Sequence, residues 1–209
     1  MAVSTPDKTD QAPWQDGNVW DVIGPRQITE KMEVYRPYGA IEEMMYCHDP
    51  EVLVDGPAGT GKSLGILHKI HICCLKYPGI RAQIARKYRR SLTDSALVTY
   101  EDEVLGKDSE IRDGPRKEQR HIYYYPNGST VTVSGLDEAE KQKSSQYDLT
   151  YIQEATEIDE DDLAQIIRGQ RNNVMPYQQI LMDANPDAPM HWLKLRFERG
   201  DTTRFASTH

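Results

Sequence analysis

Gly56-Pro57-Ala58-Gly59-Thr60-Gly61-Lys62-Ser63 follows the apolar run Val52-Leu53-Val54 and precedes a helix-like stretch, Leu64 to Leu75. The eight residues fit the pattern G-x-x-x-x-G-K-[ST], in the strand–loop–helix setting that a phosphate-binding loop requires. Glycines let such a loop fold tightly and aim its N–H groups inward at phosphate oxygens. A helix starting near Lys62 adds the positive end of its dipole. In this pattern Lys62 reaches the β- and γ-phosphates and Ser63 offers a hydroxyl to Mg²⁺. The four fixed positions match by chance in about one chain of this length in a hundred.

The rest of the chain extends that strand–helix rhythm. Arg81-Ala82-Gln83-Ile84-Ala85-Arg86 reads as a second strand and Ser91 to Leu105 as a helix. Arg120 to Tyr125 and Thr130 to Val133 flank Pro126-Asn127-Gly128-Ser129, two β-rich runs around an Asn-Gly turn and so a hairpin. Leu149-Thr150-Tyr151-Ile152 is a further strand, followed by an acid-rich helix from Asp159 to Arg168. The last strand is Gln179 to Met182, then an Asn185-Pro186 turn and a short helix with Trp192 and Leu195. This alternation predicts an α/β domain: a mainly parallel sheet with helices on both faces and an added β-hairpin.

The 209 residues suit one sizeable domain, taken as 26–209, preceded by a flexible polar tail over 1–25. Trp14 and Trp20 are the exceptions in that tail, and they dock either on the domain or on a partner. No apolar run approaches the roughly 20 residues that span a bilayer, and the N-terminus lacks a secretory pattern. Cys47, Cys73 and Cys74 show no metal-ligand spacing, and an odd number argues against a disulfide framework. A reducing, cytosolic compartment follows. The formal net charge of −8 is the wrong sign for a free-standing nucleic-acid binder. A local basic patch or a ring of subunits can still present positive potential.

A phosphate loop binds; hydrolysis also needs a positioned water and a held metal. In many P-loop enzymes a carboxylate pair ending an apolar strand supplies both. Here the strand Leu149–Ile152 ends in Gln153-Glu154. Glu154 is placed to deprotonate the attacking water, with Glu157 next in line. Gln153 stands where the metal-associated acid is usual: its amide accepts a bond from a Mg²⁺-bound water but brings no charge. Mg²⁺ is therefore expected to be held chiefly by Ser63 and the nucleotide. Asp183-Ala184-Asn185-Pro186 follows the last strand, where Asn185 is within reach of both the γ-phosphate and Glu154.

In this order the parts resemble the ATPase domain of a large terminase subunit, the motor that packages DNA into tailed-phage heads. The resemblance runs from about Arg36 to the end. Arg36-Pro37-Tyr38-Gly39-Ala40 resembles the family's adenine-side segment, and Ala85-Arg86-Lys87 with Ser91, Leu92 and Ser95 its segment after the second strand. Tyr151 to Glu157 resembles its metal and base motif. Asn185-Pro186 with His191-Trp192-Leu193-Lys194 resembles its coupling motif and following helix, the more specific part of the match. The resemblance implies a RecA-like P-loop fold of the ASCE type, with ATP and Mg²⁺ as cofactors. It also implies double-stranded DNA, the portal protein and the small terminase subunit as partners. The protein would be a monomer in isolation and a homo-oligomeric ring on the prohead, in the host cytoplasm and transiently at the portal, with no membrane. The family's nuclease domain is not recognised in this chain, so no nuclease activity is expected of it.

The match has two departures. One is Gln153. The other is Lys143, where relatives carry an arginine that enters the neighbouring subunit's site; Lys141 and Arg86 are alternative contributors in trans. Lysine lacks the planar fork that grips phosphate oxygens. Two other classes stay open: another P-loop nucleic-acid remodelling ATPase, and a nucleotide-switched binding module with little hydrolysis, which Gln153 favours. A small-molecule kinase needs an arginine-rich lid where Glu157 to Gln165 is acidic. A GTPase needs an Asn-Lys-x-Asp loop, which the sequence lacks.

Overall fold

The computed structural model describes residues 35–106, 109–112, 121–137, 145–185 and 192–208. The tail 1–25 with Trp14 and Trp20, and Lys141, Lys143, Pro186 and His191, lie outside the described residues. The chain divides into two units, Met1–Arg36 and Pro37–His209. Of the first, only Tyr35 and Arg36 are described, and Arg36 is exposed. The second unit carries the sheet and its helices.

Seven strands form one sheet in the order β3-β4-β2-β5-β6-β1-β7. They are β1 (Glu51–Asp55), β2 (Arg81–Arg86), β3 (Ile122–Tyr124), β4 (Thr130–Gly135), β5 (Leu149–Ile152), β6 (Gln179–Ala184) and β7 (Thr203–Ala206). All pairs are parallel except the β3–β4 hairpin, which turns at Asn127-Gly128 as its sequence demands. The four central strands are buried nearly throughout. Parallel strands covered on both faces read as unbroken apolar runs for that reason.

Side-chain alternation divides the core between the two faces. Leu53, Ile152, Ile180 and Met182 pack with Ile158, Leu163, Ile166 and Leu193, that is, under helices α5 (Glu160–Gly169) and α6 (Trp192–Glu198). Trp192 packs on this cluster and donates from Nε1 to the Ile158 carbonyl at 2.9 Å. The other face carries α2 (Lys62–Lys76), which buries Ile66, Leu67, Ile70, Cys73 and Cys74. Helix α1 (Gly39–Tyr46) packs on α2. The buried Lys69 ammonium holds them together by donating to the Met44 and Cys47 carbonyls at 2.9 and 2.6 Å, and burial pulls its pKa down to about 8.

Two elements depart from the sequence reading. The stretch expected as one helix, Ser91 to Leu105, is α3 (Arg89–Thr93), α4 (Ala96–Thr99) and a π-helical turn over Tyr100–Leu105. The break falls at Ser95, whose backbone is non-helical (φ −132°, ψ −99°) and whose hydroxyl donates to the Gln153 side chain. The second is strand β7, which no run in the sequence announces. It is an edge strand with alternating exposure, tied on by the Arg204–Asp55 pair and by the buried Glu51, which accepts from Arg196 and Thr202. Among the described residues no helix is long and apolar enough to cross a membrane.

Candidate active site

The phosphate loop connects the carboxyl end of β1 to the amino end of α2. Gly61 is the residue before the helix and adopts φ 78°, a conformation open to glycine at no steric cost. Gly56 is required for a different reason. A Cβ there would lie 2.2 Å from the Ser207 carbonyl oxygen, because the chain leaving β7 passes against the loop. Lys62 is buried, and its ammonium donates to the Gly56 and Pro57 carbonyls at 2.8 and 2.7 Å and to Asn185 Oδ1 at 3.2 Å. Three donors meet three oxygens, the acceptor type that a polyphosphate also offers. Thr60 Oγ1 closes the loop on the Pro57 carbonyl at 3.0 Å.

Strand order decides what faces this loop. Strand β6 lies between β1 and β5, so the carboxyl ends of all three converge on the start of α2. Ser63 Oγ donates to Asp183 Oδ2 at 2.5 Å. The Tyr151 hydroxyl, from β5, donates to the same oxygen at 2.7 Å. The Glu154 backbone N–H donates to Asp183 Oδ1 at 2.7 Å. Glu154 sits in the left-handed region, with φ 51° and ψ 60°. That conformation is uncommon for a residue with a long side chain and is held here by the Asp183 bond. It swings the Glu154 side chain toward the loop. Asn185 Nδ2 then reaches Glu154 Oε2 by a long bond of 3.5 Å, while its Oδ1 accepts from Lys62. One amide thus bridges the phosphate-loop lysine and the glutamate.

The electrostatics follow from burial. Desolvation, and then the charge of Asp183, push the Glu154 carboxyl above its ordinary pKa; Arg86 and Lys62 pull it back. Asp183 is raised chiefly by burial, opposed by its bonds from Ser63, Tyr151 and the Glu154 N–H. A glutamate with a raised pKa, tied through Asn185 to the phosphate-loop lysine, suits a proton acceptor.

The other residues singled out from sequence take these places. Gln153 is buried and its side-chain Oε1 accepts from Ser95 Oγ at 2.8 Å, while its backbone continues the β5–β2 ladder to the Ala85 carbonyl. Arg86 forms a two-bond pair with Glu157, at 2.9 and 2.5 Å. Tyr38, just before α1, is 67% exposed. The sequence alone assigns no role to Tyr151 or Asp183. Asp183 carries a usable signal, an acid within a buried strand's carboxyl end, but its neighbours depend on strand order.

Ser63 and the nearby carboxylate present oxygens only, the ligand chemistry of Mg²⁺.

The fold is shared with solved structures of large terminases and a related packaging ATPase. The large terminase of a thermophilic bacteriophage in complex with ADP superposes with a TM-score of 0.62 at 12% identity, covering 80% of this chain and 41% of that one. The large terminase ATPase domain of Thermus phage P74-26 gives 0.59 at 13% identity, covering 90% and 83%. The N-terminal domain of the DNA packaging ATPase from bacteriophage phi29 gives 0.56 at 17% identity, covering 78% and 85%. This chain spans under half the length of the first of these large terminases. No curated protein matches the chain. The sequence model described as phage terminase large subunit matches residues 48–208, from just before β1 through the phosphate loop, the Glu154 turn, the Asn185 bridge and β7. Matching over that span, the chain belongs to the phage terminase large subunit family.

Proposed function

We propose that this domain hydrolyses ATP with Mg²⁺ and couples the reaction to moving double-stranded DNA into a viral prohead. The observation that carries the reading is the Asn185 amide, bonded at once to Lys62 and Glu154. A loop that only bound nucleotide would have no need to tie its lysine to a carboxylate on another strand. Lys62 exchanges loop carbonyls for phosphate oxygens and neutralises charge on the γ-phosphoryl group. Glu154 accepts a proton from water as that water attacks phosphorus. The bond from γ-phosphorus to its bridging oxygen breaks, giving ADP and phosphate. Ser63, with the nucleotide phosphates, would hold Mg²⁺, which when bound would supply charge neutralisation for the phosphoryl group. Asn185 reports the change at the γ-position to the chain that follows, toward α6. The base side of the nucleotide falls to the segment of Tyr38, just before α1.

Family membership and charge support a reading of the partners. With a net charge of −8, one copy gripping DNA unaided is a poor design. A ring of copies on a portal, loaded by a small subunit, supplies the geometry that one copy lacks. Lys143, Lys141 and Arg86 are the candidates to reach a neighbour's γ-phosphate. Arg86 must leave Glu157 to do so. Specific activity should therefore rise with protein concentration, and Lys143→Ala should flatten the rise without changing ATP affinity. A cation inserted from a neighbour is worth about 10³-fold in rate. The test of the reading itself is Lys62→Ala, which should abolish turnover and weaken nucleotide binding. Turnover at the parent rate in that variant would overturn it.

A further inference from the structure

We infer that Asp183, on β6, is the carboxylate that serves the Mg²⁺ ion, in the place usually given to the residue at Gln153. The inference rests on the ATPase reading above and names the residue that supplies its missing charge. Positions 153 and 183 lie side by side, one step beyond the Ile152–Met182 pair of β5 and β6. Strand β6 is also paired with β1, with Val54 opposite Asp183. Asp183 is thus one strand spacing, about 4.8 Å, nearer to the phosphate loop than Gln153 is. A short side chain on β6 bonds Ser63 directly, at 2.5 Å. Gln153 is engaged elsewhere, at 2.8 Å from Ser95.

The partners of Asp183 point the same way. It is 3% exposed, and no lysine or arginine among the described residues forms a direct ion pair with it; Lys62 and Arg86 act on it only at longer range. Its partners are two hydroxyls and one backbone N–H. A buried carboxylate with no directly paired charge is costly. A divalent cation beside Ser63 would supply that countercharge. Ser63 donates its proton to Asp183, which leaves the oxygen's lone pairs to face a cation. Tyr151 holds the same carboxylate oxygen from the β5 side and fixes its direction.

The experiment is a Mg²⁺ titration of the affinity for a fluorescent ADP or ATP analogue, using the 209-residue chain as wild type, Asp183→Asn and Gln153→Ala. Thermal melting confirms that each variant is folded. Each protein is compared with its own affinity in EDTA. For Asp183→Asn, the gain in affinity on adding Mg²⁺ should shrink by about tenfold or more, the scale for losing a carboxylate that supports a metal ligand. Gln153→Ala should keep the wild-type gain. A full Mg²⁺ gain in Asp183→Asn, or its loss in Gln153→Ala, would overturn the inference while leaving the ATPase reading intact. A wild-type chain with no nucleotide affinity in either condition would overturn the ATPase reading as well.

Discussion

Two buried aspartates sit at opposite ends of the central strands and are treated differently. Asp148 precedes β5 at the amino end of the sheet. It accepts from the backbone N–H groups of Arg81, Val174 and Met175 and from Asn172 Nδ2, at 2.7 to 3.2 Å. Asp183 closes β6 at the carboxyl end and accepts from two hydroxyls and the strained Glu154 turn. Fixed N–H donors leave Asp148 nothing further to bind, so it reads as an anchor that pins the loop after α5. Hydroxyls rotate, and each can serve a second partner. A buried carboxylate held by movable donors, beside a phosphate loop, is equipped for a ligand. The amino end of this sheet holds the fold, and the carboxyl end gathers the carboxylates proposed for chemistry.

Substitutions at the two ends should then separate stability from activity. Asp148→Ala leaves several dry N–H groups unpaired and should lower unfolding stability by about 4 kcal/mol. Urea denaturation measures this, and a loss under 1 kcal/mol would mean that Asp148 is not the anchor. Arg196→Met, also at the amino end, strips the buried Glu51 of its bidentate partner and should cost about 3 kcal/mol in the same assay. Neither variant should change the hydrolysis rate per folded molecule.

A third test uses pH. His71, on the rear half of α2, bonds the Tyr125 hydroxyl at 2.8 Å, and burial pulls its pKa down to about 4. His68, one turn earlier, is pulled down to about 3 by burial and then by His71. Both fold as neutral rings, whereas the unfolded chain binds their protons near 6.5. Stability present above pH 6.5 should therefore fall as pH drops from 6.5 toward 4, by about 2 kcal/mol for His71 after allowing for its partial exposure. His71→Phe should flatten that limb of a thermal-melt pH series. An unchanged limb would move the effect to other groups.

Asp183→Asn should have the smallest effect on stability, under about 1 kcal/mol. Burial raises the carboxyl, so the folded state holds its proton more tightly than the unfolded chain does. Ionisation therefore costs stability as pH rises from the ordinary value of 3.8 through the folded value, and the variant escapes that cost. Relative to wild type, the variant should gain as pH rises through this window. A loss comparable to that of Asp148→Ala would make Asp183 a second structural anchor.

How much of this was legible in the sequence depends on the range of the determining contacts. The phosphate loop, the Asn127-Gly128 hairpin and the Asp159 start of α5 are local. α5 even closes with a capping box between Asp159 and Asp162. β5 falls on the residues expected because a run buried on both faces has no polar side to mislead. The helix over Ser91–Leu105 breaks at Ser95 because a contact with Gln153, far along the chain, outweighs helical propensity. β7 lacks an apolar run because one edge of it faces solvent. The pairing of Asp183 with Ser63 needs β6 inserted between β1 and β5, and strand order is set by packing that no local pattern records.

The most direct test of the central claim is single-turnover hydrolysis of ATP by the wild-type chain and by Glu154→Gln, with Mg²⁺ and protein in excess over nucleotide. Both should bind ATP about equally. Wild type should release phosphate, and Glu154→Gln should do so at least about 10²-fold more slowly, the scale for losing a positioned base. Equal binding with equal rates would contradict Glu154 as the proton acceptor, and binding without phosphate release by wild type would leave a nucleotide-switched module in place of a motor.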